Sequence, residues 1–359
     1  MRPTAGDART RDRTLDVLRA AATMRVVLYH ASSDPRLSWF AAMPAMFFVG
    51  GALFAKSIDN RPPLEVLRSR SRRIVVPVWA WSAMVFTAYT VAGVWGQVPK
   101  WGIPGFILPI LPAVGARGHW YWTWMTLWYL TAYLLFMLIG IPLRKLQKRA
   151  PVWTLVVLAV PIVVSGVLRQ PALGVPTGNL LFWVLGYYFH DRRDHLPSRQ
   201  VCLGVAGAST VVALAYSGAV TGLAVVTTSV PFLNAAVGLA WVALTLALGP
   251  QINRAIKVHW FDYMIRWFQM RAMTIYLWHA LAVGVIAEMA RRHPAQLDQL
   301  GIRVFLALAL TVVLTLALGW IEDFAAGRPM RVIAVRWAPA VDLRTASGSE
   351  SIRTSLCEV

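Results

Sequence analysis

Four ionisable side chains fall inside one apolar stretch near the N-terminus, and their spacing raises the first chemical expectation. The stretch is LDVLRAAATMRVVLYHAS (15–32), and it carries Asp16, Arg19, Arg25 and His30. A charge at the centre of a bilayer costs roughly 3 kcal/mol on insertion scales, so such a residue by default faces a bundle interior and marks a site. On a helix, the eleven-residue step from Arg19 to His30 returns to within roughly 20° of the same face and separates the two by roughly 16 Å. Asp16 and Thr23 fall on that side, with Asp16 at the i,i+3 spacing for a pair with Arg19, while Arg25 points away. The stripe sets a cation toward one end of the segment and a titratable imidazole toward the other. An imidazole takes a proton from a hydroxyl near neutral pH, which is the work of a general base. The structural alternative reads Asp16–Arg19 as an interfacial salt bridge and His30 as a hydrogen-bonded core residue.

Other polar marks are weaker. His279 lies in IYLWHA, where an unpaired imidazole would be costly; it can assist His30, line a substrate path, or serve as a packing histidine. His119, in RGHWYWTW, fits an interfacial aromatic girdle. His190 and His195, with Asp191 and Asp194, lie in HDRRDH; intervening arginines favour a solvated loop over a metal site. Glu288 is spaced to pair with Arg292, and Arg303 can snorkel to a surface. Cys202 and Cys357 form neither a disulfide framework nor a metal spacing, and no metal cofactor is expected.

The elements that must carry these residues follow from composition. Of 359 residues, 57% are hydrophobic and 14% charged, yet the formal charge is +19. That balance excludes an ordinary soluble globule, a disordered chain and a polar nucleic-acid binder. With roughly 20 apolar residues per span, ten segments stand out. They are 15–32, 38–55, 74–97, 120–143, 151–168, 173–189, 200–217, 230–250, 273–290 and 300–320. The Pro-interrupted segment 102–114 reads as interfacial or re-entrant. Lys and Arg test this count. With the N-terminus inside, the cytoplasmic pieces hold 26 of them and the opposite pieces 6, alternating at every loop as the positive-inside rule requires. The expected fold is therefore all-α: a polytopic integral membrane bundle of about ten transmembrane helices with both termini cytoplasmic. Its parts are a basic N-terminal segment (1–14), a membrane domain (15–324) and a flexible polar tail (325–359). Charges at Asp16, Arg19 and Arg25 argue against reading the first segment as a cleaved signal.

The sequence resembles the acyltransferase-3 family of integral-membrane acyltransferases. LDVLRAAATMRVVLYH is similar to that family's first helix and its Arg, ten residues, His signature. MPAMFFVGGALF (43–54) resembles a Pro-x-Phe-Phe element followed by a small-residue pair, and RSRSRRIVVP (68–77) a basic stretch before a Pro-started third helix. Weaker similarities follow in order: WYL (128–130), FWVLGYYF (182–189), MTIYLWH (273–279) and WIEDFAAGRP (320–329). Two departures stand out. Gly50-Gly51 replaces the usual Ser-Gly, which removes a hydroxyl but keeps a close helix approach. The late Glu-Arg-Pro-like element is stretched to Glu322-Asp323 and Arg328-Pro329. The residues after the membrane portion are too few for the appended hydrolase-like domain of some family members.

The resemblance implies a multi-pass plasma-membrane enzyme that transfers an acyl group, often acetyl, from cytoplasmic acyl-CoA to a hydroxyl. The acceptor would be a carbohydrate, a glycolipid or a glycosylated metabolite. In that reading Arg70 and Arg73 hold the CoA phosphates, since a guanidinium fork donates two hydrogen bonds at once. Arg68 and Arg72 are weaker candidates. Arg19 holds the pantetheine end or orients helices, and Asp16 and His279 line the substrate path. His30 deprotonates the acceptor or takes the acyl group itself. The same arginines also serve as a positive-inside anchor. A transporter or flippase using Arg19 and His30 as a substrate or proton path remains the alternative, although no inverted repeat supports it.

Overall fold

Apolar runs long enough to span a bilayer satisfy their own backbone groups by winding into helices. The structure, a computed structural model, describes residues 13–92, 107–108, 127–222, 225–297 and 299–330, and among them there is no strand. The chain runs through α1 (Thr14–Ser32), α2 (Ala42–Asn60), α3 (Pro63–Ala92), α4 (Leu127–Arg149), α5 (Pro151–Val167) and α6 (Pro171–Asp191). It continues through α7 (Arg199–Tyr216), α8 (Pro231–Ala247), the short α9 (Gly249–Ala255), α10 (His259–Arg292) and α11 (Leu300–Ala325).

Within the described residues each expected apolar segment overlaps one of these helices, but the helices are not bounded by apolarity. α3 starts at Pro63, so Arg68–Arg73 are already helical, and α10 starts at His259, well before the expected 273. Charged residues are good helix formers, so a helix continues past the point where its apolar run stops.

Among the described residues, five helical stretches can cross a membrane by length and composition: Pro35–Asn60, Leu127–Arg149, Arg199–Thr221, His259–Arg292 and Leu300–Ala325. Taken as one span, α8 and α9 make a sixth, bent by 63° at the break between Ala247 and Gly249. α1 is too charged to qualify, carrying Asp16, Arg19 and Arg25, and α5 has only 17 residues. Large apolar side chains such as Val157, Val211, Phe305 and Val313 are exposed on the bundle's outside. A soluble protein does not present such a surface, whereas lipid accepts it.

Packing is tightest where α2 meets α6. A Cβ on Gly51 would lie 2.0 Å from the Trp183 carbonyl oxygen, and one on Gly186 would lie 2.3 Å from that of Phe48. The glycine pair thus permits the close helix approach anticipated for it. Around this seam Phe47, Phe54, Phe182 and Trp183 are fully buried.

Side-chain contacts gather the basic helix ends. Arg13, before α1, pairs with Asp262 of α10 at 2.8 Å. At the end of α4, Arg144 bridges Asp59 of α2, at 2.6 Å, and Asp191 of α6. Arg72 of α3 lies over Phe324 of α11. At the opposite end, the turn after α1 meets the loop before α8, where Thr227 Oγ1 donates to the Ser38 carbonyl at 2.6 Å. The bundle therefore has one Arg-rich end and one poorer in cations.

Candidate active site

The residue stripe on α1 reaches two different cavities. Near the Arg-rich end, Arg19 Nη1 donates to Gln269 Oε1 at 3.2 Å, and Gln269 Nε2 donates to the Asp16 carbonyl at 2.5 Å. One turn on, Thr23 Oγ1 donates back to the Arg19 carbonyl at 2.9 Å. The expected Asp16–Arg19 salt bridge does not form. Asp16 is engaged by Arg13 at 2.8 Å instead, because Gln269 on α10 draws the Arg19 side chain across the interface. Asp16 thus anchors the start of α1, outside the cavity lining. Arg25 turns to the other side, as expected, with Nε donating to the Leu37 carbonyl at 2.7 Å.

Arg19 lines a cavity of about 330 Å³ together with Arg61, Arg70, Arg73 and Arg328. Among the lining residues the sole carboxylate is Glu322. Arg61 and Arg73 are exposed at its mouth, whereas Met46, Tyr129 and Tyr276 are buried at its floor. Arg70 and Arg73 share a helical face, since α3 begins early, but they differ in engagement. Arg70 donates to the Leu53 carbonyl at 2.6 Å, to Ser57 Oγ at 2.8 Å and to Tyr133 Oη at 3.0 Å. Among the described residues Arg73 makes no hydrogen bond, so its donors are available to a ligand. Arg68 and Arg72 lie outside this lining.

His30 lies at the other end of α1, in a second cavity of about 260 Å³ with Ser32, Ser33, Val283, Ile286 and Arg303. Its partner is His279 of α10, which is fully buried. His30 Nδ1 and His279 Nε2 are 2.8 Å apart, with the rings within 4° of parallel. The hydrogens on this pair follow from the next contact. His279 Nδ1 lies 3.1 Å from the Ile275 carbonyl oxygen, which only accepts, so this nitrogen carries the hydrogen. His279 Nε2 then holds the lone pair, and His30 Nδ1 must donate to it. The neutral His30 is left with its lone pair on Nε2, the atom a general base uses.

A family model described as an acyltransferase domain matches residues 12–321. The chain belongs to the acyltransferase-3 family. No curated protein and no solved structure gives a match. Family membership and the exposed apolar faces make it a membrane acyltransferase. Within this domain Arg19 and His30 of α1 stand in separate cavities, with His279 beside the second.

Several site residues of this acyltransferase-3 protein were not singled out by sequence reasoning. Glu322 is buried on the wall of the Arg-lined cavity, its Oε2 accepting from Thr274 N at 3.1 Å and Thr274 Oγ1 at 2.8 Å. Beside it, Arg271 and Asp323 form an ion pair at 2.8 Å with both side chains 1% exposed. Arg271 also donates to the Gly319 carbonyl at 2.6 Å, and Arg328 reaches Asp323 at 3.2 Å. The signal was WIEDFAAGRP, whose stretched spacing hid the fact that a helix end and turn bring Glu322, Asp323 and Arg328 together. Gln269 and Tyr133 carried no local signal, because each acts through a tertiary contact, while Tyr129 fell within the weak WYL similarity without a role of its own.

The remaining polar marks fall elsewhere. His119 lies outside the described residues, as does segment 102–114 apart from Ile107 and Leu108. His190 is half-buried and meets Asp59 at 3.3 Å, so it is less solvated than its loop suggests. Asp59, His190 and Asp191 each bring an atom within 4.8 Å of the others, with Arg144 holding both carboxylates. His195 and Asp194 are exposed. Glu288 pairs with Arg292 as expected, at 2.7 Å, and also with Arg291.

Proposed function

We propose that this membrane acyltransferase moves an acyl group, acetyl in the simplest case, from cytoplasmic acyl-CoA to a hydroxyl of a carbohydrate, glycolipid or glycosylated metabolite. The observation that carries this reading is the position of α1, which joins an Arg-lined cavity at Arg19 to the imidazole pair at His30. CoA is a polyanion, and the cationic mouth at Arg61, Arg73 and Arg328 suits its phosphates. The buried aromatic floor suits its acyl end. Arg70 contributes charge to the same mouth while tying α3 to α2 and α4.

At the reacting end, His30 Nε2 takes the proton of the acceptor hydroxyl. The acceptor oxygen bonds to the thioester carbonyl carbon, the C–S bond breaks, and the proton passes to the departing thiolate to give CoA. His279 holds His30 in the tautomer this requires. No step needs a metal. The protein is read as a multi-pass plasma-membrane enzyme of ten spans, with its Arg-rich end and both termini cytoplasmic, following the positive-inside rule.

The test uses purified full-length protein, acetyl-CoA labelled in the acetyl group, and a lysate containing candidate acceptors. Release of free CoA thiol with transfer of label, lost in His30→Ala, supports the enzyme. Movement of intact acetyl-CoA or acceptor across vesicles without thioester loss would overturn it in favour of transport.

A further inference from the structure

A chain of three rings, Tyr276, His279 and His30, runs from the Arg-lined cavity to the second one. Tyr129 and Tyr276 line the donor-side cavity, and their rings meet at 5.2 Å. Tyr276 stands on α10 one turn before His279, and its ring lies 5.8 Å from the imidazole. This side chain therefore lines the cationic cavity and also packs on the pair that contains His30. Both tyrosines are buried, at 7% and 4% exposure, so neither is an ornament of the surface. Tyr129 is wedged further by Phe47, at 5.0 Å, and Tyr133, at 6.0 Å. The floor cannot yield without moving α4 or rotating Tyr276.

We propose that Tyr276, backed by Tyr129, is the specificity-determining floor of the donor cavity: it stops long acyl chains and sets a short acyl group next to the His279–His30 pair. The inference rests on the acyl-CoA reading above and deepens it by naming the residues that set the acyl length. An aromatic floor rejects added methylenes because they have no space to enter, and each methylene excluded from or admitted to an apolar pocket changes affinity by roughly tenfold or more. The phosphate-binding mouth, at the exposed end of the cavity, is unaffected by what happens at the floor.

Binding needs no acceptor, so the test is calorimetric titration of the detergent-solubilised full chain with CoA, acetyl-CoA and octanoyl-CoA. The wild type is expected to bind CoA and acetyl-CoA with similar affinity and octanoyl-CoA at least about tenfold more weakly. Tyr276→Ala should bring octanoyl-CoA to the acetyl-CoA affinity with CoA itself unchanged. Tyr129→Ala, which removes the backing ring, should move the ratio the same way and serves if Tyr276→Ala does not fold. Equal affinity for both acyl lengths in the wild type, or an unchanged ratio in the variants while CoA still binds, would overturn the floor but leave the donor reading standing. Absence of CoA binding to the folded wild type would overturn both.

Discussion

Arg70 and Arg73 look alike in sequence, but their surroundings ask different things of them. Arg70 holds three partners on two other helices, so Arg70→Gln is expected to lower both thermal stability and affinity for acyl-CoA. Arg73 faces the mouth, and Arg73→Gln should raise KM for acyl-CoA about tenfold, the loss of one charge-assisted hydrogen bond, with the melting temperature unchanged. Steady-state kinetics beside a thermal melt separates the two. An Arg73→Gln enzyme with wild-type KM would leave that arginine as a topology anchor only. His279 acts through His30, so His279→Ala should cut kcat by roughly a hundredfold while KM for acyl-CoA stays near wild type. A change confined to KM would show that His279 lines a binding path instead. Arg19 and His30 were legible beforehand because one helix carries both and its geometry fixes their relation. The His30–His279 contact was not, since it joins residues 249 apart and depends on how α1 leans on α10.

Helix seams carry the stability on which that alignment depends. Gly51→Ala would place a methyl 2.0 Å from a backbone oxygen that cannot swing aside, and overpacking of this kind costs about 1–3 kcal/mol. Gly204→Ala, on α7 with nothing within 4 Å, is the matched control. Thermal unfolding in detergent should lower the midpoint for the first substitution alone; equal midpoints would refute the close seam. The buried Arg271–Asp323 pair joins α10 to α11. Asp323→Asn should destabilise by about 3–5 kcal/mol because it removes the counter-charge of a buried guanidinium, whereas Arg271→Met with Asp323→Leu should recover most of the loss. A double variant as unstable as the single one would contradict that reasoning. The Gly50-Gly51 approach could be anticipated from small residues alone. The Arg271–Asp323 pair could not, because α10 begins well before its apolar run and Arg271 sits in what reads as a charged loop.

Across the whole molecule, the charge distribution anticipated which helix ends gather together, and contacts such as Arg13–Asp262 and Arg144–Asp191 agree with it. Apolar runs marked the helices, but among the described residues five stretches pass the length and composition test for crossing, or six with the bent α8–α9 pair; charges in α1 and the shortness of α5 keep those two from it. Orientation is open to direct measurement. With Cys202 and Cys357 replaced, single cysteines at Arg61 and at Ser33 should react with an impermeant maleimide from opposite faces, Arg61 from the cytoplasmic one. Reaction of both from one side would refute the ten-span reading. The claim on which everything else turns is that an Arg-lined donor cavity and the His30–His279 pair serve one acyl transfer. Vesicles reconstituted with the protein, holding acceptor lysate inside and receiving labelled acetyl-CoA outside, test it most directly. The expected result is label on trapped acceptors with wild-type protein and none with His30→Ala at equal incorporation; label appearing equally with His30→Ala would contradict the account.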